Sequence, residues 1–225
     1  MLVLASASPR RSELLTQAGY RFRVRPAHIP EDPLRSEDPI AYVTRLAREK
    51  AEAVFRELSS GGEFTEFLTD GESQLAQSQL AESGLVVLGA DTTVTLDNAI
   101  LGKPADAADA ARMLRMLSGR THRVITGVAV ATANGTEVAA EATAVRLLTL
   151  SDAEIADYVA GGEPMDKAGA YAIQGYAARW IPRTEGCYFN VVGLPLALVS
   201  AMLEAKGLET TGLESCLPDS PRPPE

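Results

Sequence analysis

Arg10 and Arg11 directly follow Ser6-Ala7-Ser8-Pro9, where a loop turns into a helix. Ser8 suits an N-cap and Pro9 the first helical position, where its missing N–H costs nothing. Cations in the first turn oppose the partial positive charge of that helix end. An anion held between the helix end and the two guanidiniums reverses the sign of that effect, and arginine grips phosphate oxygens with a planar fork. Ser6 and Ser8 add hydroxyl donors on the same loop. The segment reads as a phosphate cradle; the alternative is that both arginines point into solvent or pair with acids.

Three further positions depart from their local pattern. Lys50 falls inside the apolar stripe of Val43, Leu46, Ala51 and Val54, and at about 100° per residue it projects between Val43 and Leu46. Such a lysine either snorkels out at the edge of the stripe or points its ammonium into an enclosed polar site. Asp91 follows the apolar run Leu85-Val86-Val87-Leu88 and precedes Thr92-Thr93. A carboxylate at the carboxyl end of a central strand is expensive to bury unless paired, metal-bound or open to a cleft, and ligand crevices lie at that end of many sheets. The alternative is an Asx turn. Lys103, in Gly102-Lys103-Pro104, is a cation on a rigid loop or an ordinary turn lysine.

Asp166 and Lys167 are adjacent, ahead of Gly169 and Gln174-Gly175. Gln174 carries a donor and an acceptor, as reading a base edge requires, or is a plain loop residue. His28 and His122 are expected to be structural, Cys187 a small buried hydrophobe, and Trp180 part of the core.

The 225 residues allow one large domain or two small ones. Hydrophobic residues make up 46% and charged residues 23%, enough for a packed core and against global disorder. With 30 acids against 21 bases the net charge is −9, which argues against a broad nucleic-acid-binding surface. An anionic substrate therefore needs a local cluster of Arg and Lys. Two cysteines and two histidines rule out a disulfide scaffold, a Cys-rich zinc site and a His-rich metal site. No apolar run approaches about 18 residues, so no membrane span is expected. Met1-Leu2-Val3-Leu4-Ala5 is too short for a secretory core, and the arginines follow rather than precede it. These limits point to a cytoplasmic enzyme.

The elements that must position these residues follow from patterning. Strands are expected at residues 3–5, 22–24, 85–88 and 178–181, with a hairpin at residues 93–96 and 99–101. A second hairpin spans residues 124–132 and 137–148 around Asn134-Gly135. Helices are expected from Ser8 to Gly19, after Asp38, at residues 106–117, after the Ser151/Glu154 capping box, and at residues 195–205. Residues 59–84 hold acids but no Lys or Arg and read as an acidic, mobile insertion with a possible short helix at 74–82. Residues 208–225 read as a disordered Pro-rich tail, leaving residues 1–207 as the domain. Adjacent antiparallel strands mixed with αβ crossovers imply an α/β fold with a mixed central sheet flanked by helices. Neither GxGxxG nor GxxxxGK[ST] is present.

Taken together, the segments resemble the Maf family of nucleoside triphosphate pyrophosphatases. The matching blocks are Leu4-Ala5-Ser6-Ala7-Ser8-Pro9-Arg10-Arg11, Arg48-Glu49-Lys50-Ala51, Leu88-Gly89-Ala90-Asp91-Thr92, Gly102-Lys103-Pro104 and Leu117-Ser118-Gly119-Arg120-Thr121-His122. Asp166-Lys167-Ala168-Gly169-Ala170-Tyr171-Ala172-Ile173-Gln174-Gly175 and Asn190-Val191-Val192-Gly193-Leu194-Pro195 complete the series in the family's order. The resemblance implies a Maf/ITPase-like fold with a cleft between two lobes, a nucleoside triphosphate substrate split into monophosphate and pyrophosphate, a divalent metal (Mg²⁺ or Mn²⁺), and a homodimer. It implies Asp91 as general base, and Ser6, Arg11, Lys50 and Lys103 as phosphate-binding residues. Arg10, Thr92 and Gln174 match the specificity trio of the dTTP/UTP branch; the 7-methyl-GTP branch has an acid where Gln174 stands. Asp91 and Glu31 are the metal-ligand candidates, although Ile29-Pro30-Glu31-Asp32 departs from the family's Ile-Asp-Glu. The competing expectations are the same reaction on 7-methyl-GTP or a modified nucleotide, and a nucleotide-binding regulator of cell division.

Overall fold

The computed structural model describes residues 1–60, 84–97 and 99–210. The acidic stretch 61–83, including the possible helix at 74–82, and the tail from residue 211 onward lie outside the described residues. The strands are β1 (Leu2–Leu4), β2 (Arg23–Val24), β3 (Val86–Leu96), β4 (Ala99–Leu101), β5 (Thr121–Thr132), β6 (Gly135–Arg146) and β7 (Arg183–Glu185). The helices are α1 (Pro9–Gln17), α2 (Pro39–Ser59), α3 (Ala107–Leu117), α4 (Asp152–Ala160), α5 (Tyr188–Val192) and α6 (Leu196–Glu204).

The strands form one mixed sheet in the order β2-β1-β3-β5-β6-β7, with β4 also paired to β3. β1 runs parallel to β2 and β3, while β4, β5, β6 and β7 join antiparallel. The expected α/β class with a mixed sheet is what the chain adopts.

The longest strand differs from its expectation in an instructive way. A strand ending at Leu88 and a separate one starting at Thr93 are a single strand, β3, and Asp91 sits in its middle. One edge of β3 pairs continuously with β5, from Val87 to Thr95. The other edge pairs with β1 at Val86, Val87 and Leu88 and with β4 at Val94, Thr95 and Leu96. On that edge, residues 89–93 have no strand neighbour among the described residues, and the sheet edge is notched. The crevice thus opens at the end of parallel β1, although Asp91 itself does not end a strand.

Side chains alternate across β3. Leu88 and Ala90 face a cluster with Leu4, Leu14, Leu15, Val128, Val199 and Leu203. Val94 faces a second cluster, with Leu114, Leu117, Val124, Val145 and Trp180. On the opposite face Val87 packs with Ala47, Ala51, Val54 and Leu58 of α2. Gly89 and Asp91 follow Val87 on that same face.

α2 starts at Asp38, whose side chain accepts from the N–H groups of Ile40 at 2.9 Å and Ala41 at 3.2 Å, as an N-cap should. It lies unusually close to the sheet. A Cβ on Gly89 would fall 2.2 Å from the Ala47 carbonyl oxygen, and one on Gly127 would fall 2.3 Å from that of Val43. Only glycine allows this approach, and it sets Lys50, one turn past Ala47, over Asp91.

Smaller corrections have local causes. Ser8 precedes α1 with extended backbone, but its side chain makes no capping hydrogen bond. Residues 178–181 are not a strand: Tyr176–Trp180 is a 3₁₀ turn, and the strand that follows is β7. Ala177 and Trp180, three apart, both turn into the core, as 3₁₀ spacing places them. Cys187 is half-buried at the start of α5 rather than a core residue. In the β5–β6 hairpin Thr132 pairs with Gly135, so Ala133 and Asn134 form the turn. The capping box at Ser151 and Glu154 is present.

Candidate active site

The notch opens into a cleft of about 670 Å³, of a size that suits a small-molecule ligand. Ser6, Arg10, Arg11, Glu31, Lys50, Asp91, Thr92, Lys103 and Gln174 all line it. Residues spread across most of the chain therefore meet in one place.

Asp91 and Lys50 are 8% and 7% exposed. The Lys50 ammonium donates to Asp91 Oδ1 at 2.7 Å and pairs with Glu31 Oε1 at 2.6 Å. Of the two possibilities for a lysine inside an apolar stripe, the enclosed polar site is the one adopted. Burial pushes the Asp91 carboxyl above its ordinary value, against the opposing pull of Lys50 and Arg11. Burial acts in the same sense on Glu31, but there the hydrogen bond and charge of Lys50, with Lys103 and Arg11, win, and its carboxyl is held below the usual range. The two acids thus differ in basicity, with Asp91 the better proton acceptor. Tyr42 of α2 anchors the Glu31 loop by donating from its hydroxyl to the Glu31 carbonyl at 2.8 Å.

The two arginines of α1 divide their roles. Arg11 turns inward and donates to the Gly193 carbonyl at 2.8 Å, Ser6 Oγ at 3.1 Å and Thr92 Oγ1 at 3.0 Å. Arg10 reaches the rim, 3.9 Å from Asp166. Asp166 also pairs with Lys167, whose side chain is 15% exposed and lines the same cleft. Sequence reasoning notes Lys167 beside Asp166 and in the family-matching block but gives it no role in the site. Lys103 and Gln174 are exposed at the cleft's edge. Gly169 has φ of +69° and its missing Cβ would meet the Val94 side chain at 2.8 Å, so this loop presses directly on β3.

His122 is buried, with Nε2 2.7 Å from the Tyr171 hydroxyl, and takes no part in the cleft. His28 is exposed and likewise outside it.

The donor set suits a hard divalent cation. Asp91 Oδ1 and Glu31 Oε1 converge on the Lys50 ammonium, which fills the space between them, so a metal ion would use the remaining carboxylate oxygens. Among the described residues no group of three His, Cys, Asp or Glu side chains gathers to hold a metal. Two carboxylates, with the remaining ligands from water and phosphate, is the pattern by which Mg²⁺ is bound at phosphate-processing sites.

Comparison with known proteins places these features in a lineage. Residues 1–206 match the family model described as Maf-like protein. The chain is 50% identical over 207 residues to the dTTP/UTP pyrophosphatase of Koribacter versatilis (strain Ellin345), covering 92% of this chain and 95% of that one. It is also 50% identical over 208 residues to the dTTP/UTP pyrophosphatase of Geobacter sp. (strain M21), with the same coverage of 92% and 95%. The protein of the same name from Anaeromyxobacter dehalogenans (strain 2CP-C) is 49% identical over 210 residues, 92% of this chain and 94% of that one.

Proposed function

This chain belongs to the Maf family, and from that premise we propose that it hydrolyses nucleoside triphosphates, dTTP and UTP among them, to the nucleoside monophosphate and pyrophosphate. The relatives that carry that activity in their names match along nearly their whole length. The observation that carries the reading here is the convergence of Arg11, Lys50 and Asp91 in the notch of β3.

Water attacks the α-phosphorus. A new P–O bond forms, the bond from that phosphorus to the α–β bridging oxygen breaks, and pyrophosphate leaves with the bridging oxygen's electrons. Asp91 is the base that takes the water's proton; its raised pKa improves it as an acceptor. Oδ1 is engaged by Lys50, which leaves Oδ2 for the water. Arg11, held by three protein acceptors, presents its remaining N–H groups to phosphate oxygens. Ser6, Lys50 and Lys103 complete the phosphate site, and Arg10 stands at its rim. Gln174 reads the pyrimidine edge, with Thr92 and Arg10 contributing to the choice of base. Mg²⁺ or Mn²⁺ would be held by Glu31, with Asp91 as a ligand only in the alternative in which it does not serve as the base, and would supply neutralisation of the phosphate oxygens. The active form is a cytoplasmic homodimer, checked by its mass in solution.

The test is a panel of dTTP, UTP, CTP and 7-methyl-GTP with Mg²⁺ or Mn²⁺, reading pyrophosphate. Release from dTTP and UTP in preference to the others is expected, with Asp91→Asn lowering kcat by about 10²–10⁴-fold while the fold is retained. Tight nucleotide binding without pyrophosphate release would contradict the enzymatic reading, and preference for 7-methyl-GTP would contradict the assignment of Gln174.

A further inference from the structure

On the face of the sheet opposite α2, two apolar clusters meet at a polar seam. Along β5, Val124 belongs to one cluster and Val128 to the other, and Thr126 lies between them; along β3, Thr92 lies in the same way between Val94 and Ala90. Thr92 and Thr126 are directly paired in the β3–β5 register. Thr126 is fully buried, a position where a strand would prefer valine unless the hydroxyl is bonded.

That hydroxyl is bonded, and the direction of the bonds can be worked out. Thr126 Oγ1 lies 3.1 Å from the backbone carbonyl of Asn190, which can only accept, so Thr126 donates there. Thr126 therefore accepts from the Thr92 hydroxyl at 2.9 Å. Thr92 in turn accepts from Arg11 Nη2 at 3.0 Å. The Thr92 hydroxyl also lies 3.4 Å from the Gly193 carbonyl; by its shorter bond, donation runs from Arg11 to Thr92 to Thr126 to the Asn190 carbonyl.

The far end of the chain is fixed. Asn190 is fully buried, and its Nδ2 donates to the Val124 carbonyl at 3.0 Å and to Thr143 Oγ1 at 2.9 Å. Thr143 donates to the Cys187 carbonyl at 3.0 Å. α5 is thereby pinned to β5 and β6. Gly193, just past α5, supplies the carbonyl that accepts from Arg11 Nε at 2.8 Å. The guanidinium is thus held twice from this end of the fold, directly by the glycine that ends α5 and, through two threonines, by Asn190 within it.

We propose that Thr126 and Asn190 are positioning residues for phosphate binding, and that Thr92 acts with them by orienting Arg11. An arginine has five N–H donors. Three are taken by Gly193, Ser6 and Thr92, which leaves one on each Nη for the ligand in a preset plane. The inference rests on the cleft being a triphosphate site. It adds that the affinity of this site is set by two buried groups that never touch the nucleotide.

The test compares Thr126→Val, which removes the hydroxyl at nearly constant shape, with Thr126→Ser, which keeps it. dTTP binding is measured by calorimetry in EDTA. Thr126→Val should weaken dTTP by about tenfold and Thr126→Ser by less than about threefold. In an Arg11→Met background, Thr126→Val should add less than about twofold, because the group it positions is gone. Wild-type affinity in Thr126→Val, or an undiminished penalty in the Arg11→Met background, overturns the proposal. A second readout needs no nucleotide: nitrogen NMR of Arg11 should show separate Nη signals from hindered rotation in the wild type and in Thr126→Ser, merged in Thr126→Val. Hindered rotation retained in Thr126→Val also overturns it. If Thr126→Val misfolds, Thr126→Ala removes the same hydroxyl and is read by the same criteria. Failure of the wild type to release pyrophosphate from dTTP sinks the proposed activity alone and leaves the NMR result standing.

Discussion

Lys50 satisfies its buried charge by lying between Asp91 and Glu31, and each acid depends on it in return. Removing one partner of such a group leaves the others uncompensated. Lys50→Met should therefore lower stability by about 3 kcal/mol, read by chemical denaturation, and lower kcat/KM for dTTP by at least about 10²-fold. An unchanged midpoint would mean that the ammonium does not hold the two acids together. Helical projection alone put Lys50 in the apolar stripe, so its unusual setting was legible; its partners were not, because Glu31 comes from a proline-rich loop with no periodicity. Arg10 and Arg11 look alike in sequence. Only the packing of α1 against Gly193 and Thr92 separates the arginine that turns inward from the one at the rim.

α2 is the element on which the site depends, because Lys50 is held over Asp91 by two glycine contacts. Gly127→Ala would push a Cβ into the Val43 carbonyl, 2.3 Å away, and the helix must move. A loss of about 1–3 kcal/mol is expected, together with a fall in kcat/KM, since Lys50 moves with the helix; loss of stability with full activity would contradict this. Residues 168–174 are held to β5 differently, through the contact of His122 with Tyr171. Burial pulls the His122 pKa down from 6.5 to about 4. The unfolded chain therefore binds the proton first, and stability is present above 6.5 and lost as pH falls toward 4, by up to about 3 kcal/mol. His122→Gln should flatten that part of the melting-temperature profile. The longer helices and the two hairpins showed in the patterning, whereas the five-residue α5 was too short to show a helical period. What did not show was the continuity of β3 through Gly89-Ala90-Asp91, because its polar and glycine residues look like a strand end. They are tolerated there because α2 approaches closely at Gly89 and Lys50 neutralises Asp91. The 3₁₀ turn at Tyr176–Trp180 was hidden for the opposite reason, since apolar residues in so short a segment fit either period.

At the scale of the molecule, a chain of net charge −9 gathers Arg10, Arg11, Lys50, Lys103 and Lys167 around one cleft. Lys50 is shielded from solvent, whereas Lys103 is exposed and the Arg10 side chain is 32% exposed. Salt screens exposed charges far more than buried ones. Raising KCl from about 0.05 to 0.5 M should raise the KM for dTTP several-fold and change kcat little; a fall in kcat at constant KM would place the screened charges at the reacting phosphorus instead. The central claim concerns which phosphorus the water reaches. Turnover of dTTP in water carrying the heavy oxygen isotope, followed by mass spectrometry of both products, tests it directly. One heavy oxygen in dTMP and none in pyrophosphate is the expected result, since Asp91 is assigned to the water that attacks the α-phosphorus. Label in pyrophosphate, or in orthophosphate released from the end of the chain, would contradict it.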